Sequence, residues 1–244
     1  FLADKKYTFG LKTGTCYATE IKPSQTGMSF VLNVPNNKVQ VNLTLPGEFS
    51  VYNALAASTV ALANGVNAQL IKSSLEKAKT IAGRYEQIDC GQKFAVIVDY
   101  AHTTESLSKL LELYKSQTPG RLIAVFGATG GGRDKAKRPK MGAVADQFAD
   151  IIILTDDDPY EEDRMTIINE IAAGINRPEG KTFWKIAHRY EAIRLALNEA
   201  QEGDTVVIAG KGAETVQMLG NQKIPWDDRK VVREILGKAI SVNL

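Results

Sequence analysis

The chain has 244 residues, 44% of them hydrophobic, and its 30 basic and 28 acidic side chains leave a formal net charge of +2. That is apolar material for a real core in one or two modest domains, and the near-balance of charge excludes a global field that would draw the chain to nucleic acid or an anionic membrane. No apolar run approaches the ~18 residues of a membrane span, and Cys16 and Cys90 are two isolated thiols without metal-ligand spacing, which fits a reducing cytosol and leaves a disulfide open.

Phe1 to Lys6 place charge after an apolar pair and have no hydrophobic core, so they do not make a signal peptide and read as a cut inside a domain. Residues 7 to 45 are β-rich, with strands expected at Cys16 to Ile21, Met28 to Val34 and Lys38 to Leu45 and a hairpin turn at Asn36-Asn37. An alanine-rich helix follows from about Ser50 to Asn64, stopped by Asn64-Gly65, and a second runs from about Ala68 to Lys79. A domain boundary is expected at Ile81-Ala82-Gly83. Beyond it strands near 94–98, 121–126, 151–155, 181–186 and 205–209 alternate with helices near 104–117, 137–149, 163–175, 188–200 and 228–240. Such alternation predicts an α/β fold, a mainly parallel sheet with helices on both faces. No internal repeat and no low-complexity tract interrupts it.

Two strand ends carry the densest chemistry. Phe94 to Val98 is an apolar run that ends in Asp99-Tyr100-Ala101-His102, and Phe126 is followed by Gly127-Ala-Thr-Gly-Gly-Gly-Arg133-Asp-Lys135. In an open α/β sheet, ligands bind in the crevice beyond the carboxyl ends of the strands. A carboxylate, an imidazole, a glycine-rich backbone and a cationic loop around one pocket suit a nucleotide and an anionic substrate.

In these and four further segments the sequence resembles the Mur ligases, ATP-dependent amide-forming enzymes of peptidoglycan precursor synthesis, and most of all the branch that adds the third amino acid to UDP-N-acetylmuramoyl-dipeptide. The segments run in family order: Leu45-Pro-Gly-Glu-Phe-Ser-Val-Tyr-Asn-Ala54, Gly83-Arg-Tyr-Glu86, Asp99-Tyr-Ala-His-Thr103, Gly131-Gly-Arg-Asp-Lys135 with Lys137-Arg-Pro139, Thr155-Asp-Asp-Asp-Pro159, and Gly210-Lys-Gly-Ala-Glu214. The resemblance covers nearly the whole chain. It implies a Rossmann-like C-terminal domain at 83–244, preceded at 1–82 by the β-rich and helical end of a central ATPase domain. The family's phosphate-binding loop, Gly-x-x-x-x-Gly-Lys-Ser/Thr, does not occur in this sequence, nor is the UDP-sugar domain visible. A piece of this kind is expected to be inactive alone.

The resemblance assigns Asn53 to the adenine, whose amino group and ring nitrogen an amide can match. It assigns Asp99 to the ATP ribose, with His102 beside the nucleotide and Arg84 reaching it from the hinge. On the residues alone, Asp99 could instead cap the following helix, and Arg84 could form a surface salt bridge. Arg133 is implied to hold the carboxylate of the incoming amino acid with two parallel bonds. The alternatives for its loop are a merely flexible glycine run or a nucleic-acid patch, for which the cluster is short and lacks interleaved aromatics.

The run Asp156 to Asp163 could be a solvated turn before a helix, and it lacks the spacing of an EF-hand loop. In the family this turn selects the amino acid, as Asp-Asn-Pro-Arg in enzymes that take meso-diaminopimelate. Here Asp157 is kept, Asp158 replaces the Asn and Tyr160 replaces the Arg. Asp157, Asp158 and Glu214 together then favour a cationic side chain such as lysine or ornithine. Gly210 and Glu214 match family positions around the added amino acid, and Ala213 stands where His is frequent. The implied chemistry is phosphorylation of a peptide carboxylate by ATP, attack of the amine on the acyl phosphate and release of phosphate, with Mg2+ offsetting the charge. No residue here is assigned a catalytic or metal-ligating role; the expected protein is a cytoplasmic monomer with a UDP-N-acetylmuramoyl peptide and an amino acid as substrates. Alternatives are another member of the superfamily, of the folylpolyglutamate or cyanophycin synthetase type, or a non-catalytic nucleotide- or amino-acid-binding module.

Overall fold

A computed structural model describes residues 4–24, 27–78 and 81–242. The chain divides into two compact units, Phe1–Thr80 and Ile81–Leu244. In the first, β1 (Phe9–Gly10) pairs parallel with β2 (Cys16–Ser24), and β2, β3 (Gly27–Val34) and β4 (Asn37–Leu43) form an antiparallel meander. Alternate residues Met28, Phe30, Leu32 and Val34 of β3 point into a core shared with Val51, Ala54 and Leu55 of α1 (Glu48–Ala63) and with Ala68 and Ile71 of α2 (Ala68–Lys77). That period of two is what lets one sheet face be buried. The expected stop at Asn64-Gly65 is present, with Gly65 at φ 81 and the Val66 N–H closing on the Ala61 carbonyl at 3.0 Å. The hairpin turn is displaced by one residue from the expected Asn36-Asn37. Val34 pairs with Asn37, so Pro35 and Asn36 make the turn, with Asn36 at φ 61. Proline fixes the φ that leads into the turn and Asn tolerates the left-handed conformation that closes it. The expected end of the second helix at Lys79 lies outside the described residues, as do Phe1 to Ala3.

The second unit runs β5 (Glu86–Gln87), β6 (Ala95–Asp99), α3 (Thr104–Gln117), β7 (Leu122–Phe126), α4 (Lys137–Phe148), β8 (Ile151–Leu154), α5 (Arg164–Ala172), β9 (Phe183–Lys185), α6 (Arg189–Glu199), β10 (Thr205–Ala209), β11 (Val216–Leu219), β12 (Gln222–Pro225) and α7 (Asp228–Val242). Its sheet has the order β5-β6-β10-β7-β8-β9, with β5 antiparallel and the other neighbours parallel. The central strands are buried on both faces, and their alternation sorts two cores. Ile97, Leu122, Ala124, Phe126, Ile152, Leu154 and Val207 pack against α3, α4 and α5. Val96, Val98, Ile123, Val125, Ile151, Ile153, Val206 and Ile208 pack against α6 and α7. The α/β architecture with helices on both faces is therefore as expected. The sequence reading omitted β1, β5 and the β11–β12 hairpin.

Strand order decides which loops can meet. Because β10 lies between β6 and β7, the turns that follow Asp99, Phe126 and Ala209 rise side by side from the carboxyl ends of adjacent strands, and the Gly210 N–H donates to the Asp99 carbonyl at 3.1 Å.

Candidate functional site

Four turns at these strand ends, following β6, β7, β8 and β10, surround a cleft of about 710 Å3 whose lining includes His102, Arg133, Lys137, Asp158, Tyr160 and Glu214. The cleft therefore sits where ligands of open α/β sheets bind.

On the β6 side, Asp99 is buried and accepts the Tyr85 N–H on Oδ2 and the Ala101 N–H on Oδ1, each at 2.8 Å. Burial pushes its carboxyl above the ordinary range, against the pull of those two donors and of Arg84. It does not cap α3. That cap is Thr103, whose hydroxyl accepts the Ser106 N–H at 3.2 Å in a reciprocal capping box. The exposed Arg84 lays its guanidinium over the Tyr100 ring, 4.4 Å from the centroid, a cation–π contact in place of the surface salt bridge. His102 Nδ1 is 2.9 Å from the Tyr100 carbonyl. A carbonyl can only accept, so Nδ1 carries the proton and Nε2 is the ring atom left for a ligand.

The glycine loop and the acidic turn are fastened to one another. The Gly130 N–H donates to the Asp158 carbonyl at 2.8 Å. The Arg138 guanidinium is fully buried and donates to Glu162 at 3.0 Å, Glu170 at 2.5 Å and the Thr129 carbonyl at 3.2 Å. Lys135 reaches the same Glu162 at 2.9 Å, and the Gly132 N–H reaches it at 3.4 Å. The Arg138 and Lys135 hydrogen bonds hold the Glu162 carboxyl down at about 2. Arg133 itself is exposed, on a loop braced from both sides. The acidic run is thus no solvated turn: Glu162 grips the basic loop, and Asp163 caps α5 through the Thr166 N–H at 2.8 Å.

Lys211 is the centre of the cleft's acidic end. Its side chain is 0% exposed, and Nζ donates to Asp158 Oδ1 at 2.9 Å and Glu214 Oε2 at 2.8 Å, with Asp157 Oδ1 at 3.9 Å. Burial would lower its pKa, but Asp157, Asp158 and Glu214 outweigh that and hold it raised. Asp157 is buried, and burial pushes its carboxyl up against the pull of Arg189 and Lys211. Gly210, at φ 116, has to lack a side chain, because a Cβ there would lie 2.5 Å from Asp157 Oδ2. The β11–β12 hairpin completes the turn: Gln217 Nε2 donates to the Asp157 carbonyl at 2.7 Å and the Met218 N–H to Asp158 Oδ1 at 2.8 Å. Behind it all, Arg189 and Asp228 form a fully buried pair at 2.7 Å, and Arg189 also donates to the Asp156 and Ala209 carbonyls, each at 3.0 Å.

His102, Arg133, Asp158 and Glu214 therefore line one cleft, with Asp157 and Gly210 buried beneath its acidic end and Asp99 buried at the foot of the His102 turn. Asn53 is exposed on α1 of the first unit. Sequence reasoning missed the fastening roles of Glu162 and Arg138 and the hydrogen bond from Lys137 Nζ to the His102 carbonyl at 2.8 Å. For Lys137 and Arg138 the hint was their crowding beside Arg133. The expectation of a lysine-type substrate was read from Asp157, Asp158 and Glu214 alone; the structure adds the Lys211 ammonium, which Asp158 and Glu214 share.

The second unit has the build of a ligand-binding α/β domain, with its cleft at the carboxyl ends of parallel strands. Comparison with known proteins gives its family: the Mur ligase glutamate ligase domain matches residues 83–212 and the Mur ligase middle domain matches residues 2–61. The chain belongs to the Mur ligase family. It is 45% identical over 230 residues to a UDP-N-acetylmuramoyl-L-alanyl-D-glutamate--2,6-diaminopimelate ligase of Syntrophomonas wolfei, covering 94% of this chain and 47% of that protein. It is 42% identical over 224 residues to a UDP-N-acetylmuramyl-tripeptide synthetase of a Roseiflexus species, covering 91% of this chain and 44% of that protein. Among solved structures, a UDP-N-acetylmuramoyl-L-alanyl-D-glutamate--2,6-diaminopimelate ligase superposes with a TM-score of 0.64 at 34% identity, covering 96% of this chain and 48% of the other. The chain spans about half the length of the relatives it matches.

Proposed function

We propose that this chain supplies nucleotide and amino-acid contacts to an ATP-dependent ligase that adds the third amino acid to UDP-N-acetylmuramoyl-dipeptide. Residues 1–82 would be the end of the central domain, with Asn53 turned to the adenine, and residues 83–244 the C-terminal domain. Asp99 uses two of a carboxylate's roughly four acceptor directions on backbone, and the other two suit the ribose diol. His102 and Arg84 would flank the nucleotide. Arg133 would take the α-carboxylate of the amino acid in a bidentate grip, and Asp157, Asp158, Gly210 and Glu214 would surround its side chain.

The peptide carboxylate takes the γ-phosphoryl group of ATP and ADP leaves; the amine then attacks the acyl phosphate, so that a C–N bond forms, the C–O bond to phosphate breaks, inorganic phosphate leaves with the electron pair and the nitrogen gives up a proton to water. What these residues contribute is orientation of that amine, a large share of the rate in such reactions. Magnesium would accompany the nucleotide and offset its charge; among the described residues no group of three or more His, Cys, Asp or Glu is placed to hold it. A cytoplasmic monomer is the proposed working form; among the described residues no helix is long and apolar enough to cross a membrane.

The observation that carries this reading is the convergence of Arg133, Asp158 and Glu214 on the same cleft as His102. The full-length protein is expected to release phosphate from ATP only when both the muramoyl dipeptide and an amino acid are present. Release that needs a folate or cyanophycin acceptor instead, or no release at all, overturns it.

A further inference from the structure

Lys137 opens α4 and lines the cleft, half-buried, with its Nζ donating to the His102 carbonyl at 2.8 Å. It thereby joins the His102 turn to the loop that presents Arg133. An ammonium has three donors, and among the described residues this one hydrogen bond is the only one Lys137 makes, so two donors remain for whatever fills the cleft. The fold itself gains little from a cation here. α4 has no side chain capping it and no acid in its first turn, so the positive end of the helix dipole faces Lys137. Burial lowers the Lys137 pKa, and Arg138 and Arg133 lower it further, against the pull of Asp157 and Asp134. Of those two acids, Asp157 is buried with its carboxyl pushed up, and Asp134 is exposed and accepts the Ala136 N–H at 2.9 Å. A cation so poorly compensated gains from an anion that arrives beside it.

We propose that Lys137 is a catalytic residue of the ligase: anchored on the His102 carbonyl, its Nζ donates its two remaining N–H bonds to the phosphoryl oxygens of the acyl phosphate and of the tetrahedral intermediate. This rests on the ligase reading above. For the amine to reach the activated carboxylate, that group has to lie between the nucleotide and amino-acid subsites, which is the stretch Lys137 bridges. As the C–N bond forms and the C–O bond breaks, the electron pair moves onto the departing phosphate. A fixed ammonium beside it stabilises that growing charge more than it stabilises the bound substrates. Lys137 keeps its proton throughout. The anchor matters because a lysine stem is flexible, and holding it in place before the substrates arrive removes that freedom from the barrier.

The test uses the full-length ligase and a phosphinate analogue of the tetrahedral intermediate, built on the muramoyl dipeptide and the amino acid the enzyme accepts. Lys137→Met should lower kcat about a hundredfold, with KM for ATP and for the amino acid within about threefold of wild type. Inhibition by the phosphinate should weaken by a factor close to the loss in kcat, because the analogue carries the anionic oxygens that Lys137 holds. Lys137→Arg keeps the charge and alters the reach, so it should fall between wild type and Lys137→Met in both measurements. Should Lys137→Met fail to fold by circular dichroism, Lys137→Gln decides by the same two measurements. A rise in KM for ATP with kcat held makes Lys137 only a strut for the His102 turn and overturns the assignment. So does a phosphinate that inhibits wild type and variant equally, which would be the mark of a proton acceptor or of a distant structural effect. A wild type with no amino-acid-dependent phosphate release overturns the ligase reading itself.

Discussion

Asp99 meets two backbone donors before any ligand arrives, and the strain of its burial is what makes further donors welcome. Asp99→Ala in the full-length enzyme is expected to raise KM for ATP well above any change in KM for the amino acid. Loss of charge-assisted hydrogen bonds should cost on the order of 2–4 kcal/mol; parallel titrations of the two substrates check it. Arg133 gives the complementary case. Arg133→Lys keeps the charge and loses the planar fork, so amino-acid affinity should fall steeply while calorimetric ATP binding holds. At this scale the sequence was informative where a residue acts through its own neighbours, as in the Asp99-to-His102 turn. It did not show that Lys211 is buried between carboxylates, because its partner Asp158 lies 53 positions away. A lysine between two glycines has no local signature of being buried.

At the scale of elements, the loop that presents Arg133 depends on an acid from the next strand end. Glu162 ties together Arg138, Lys135 and the Gly132 N–H, so Glu162→Gln should loosen the glycine loop. The expected outcome is a several-fold rise in KM for the amino acid, with KM for ATP little changed and faster proteolysis at Gly130 to Lys135. The pH dependence follows from the sign of its shift. A carboxyl lowered in the fold stabilises it above its unfolded value and loses that contribution as pH falls through the folded one. The clamp is thus whole above 4.5 and fails only as pH drops toward about 2, so protection of the loop's amides, taken relative to the unfolded-chain exchange rate at each pH, should persist until that window. The helices and strands of the second unit were legible from their apolar patterns, since 104–117 and 205–209 coincide with α3 and β10. The β11–β12 hairpin was not: its strands are four residues each, with Lys223 and Pro225 breaking the pattern. Gly220-Asn221 between them is nonetheless a two-residue turn signal. Strand order could not be read at all, because the place of β10 between β6 and β7 is fixed by pairing across a hundred residues of chain.

For the molecule as a whole, the costly feature is the Arg189–Asp228 pair, both side chains 0% exposed. Breaking such a pair from one side leaves a charge in the interior without its partner, worth about 3–5 kcal/mol. Asp228→Asn should therefore lower the urea midpoint sharply, well beyond what a surface substitution does. Arg189 does more than pair. Through the Asp156 and Ala209 carbonyls it pins the backbone from which both the acidic turn and the Gly210 turn spring, and Trp226 Nε1 shares Asp228 at 2.8 Å. The start of α7 is consequently the keystone beneath a binding cleft it does not line. Anyone trimming this protein to a minimal cleft-bearing piece would find every lining residue upstream of Trp226 and be tempted to cut there. A chain so shortened would keep all of its recognition groups and lose the anchor that aims them.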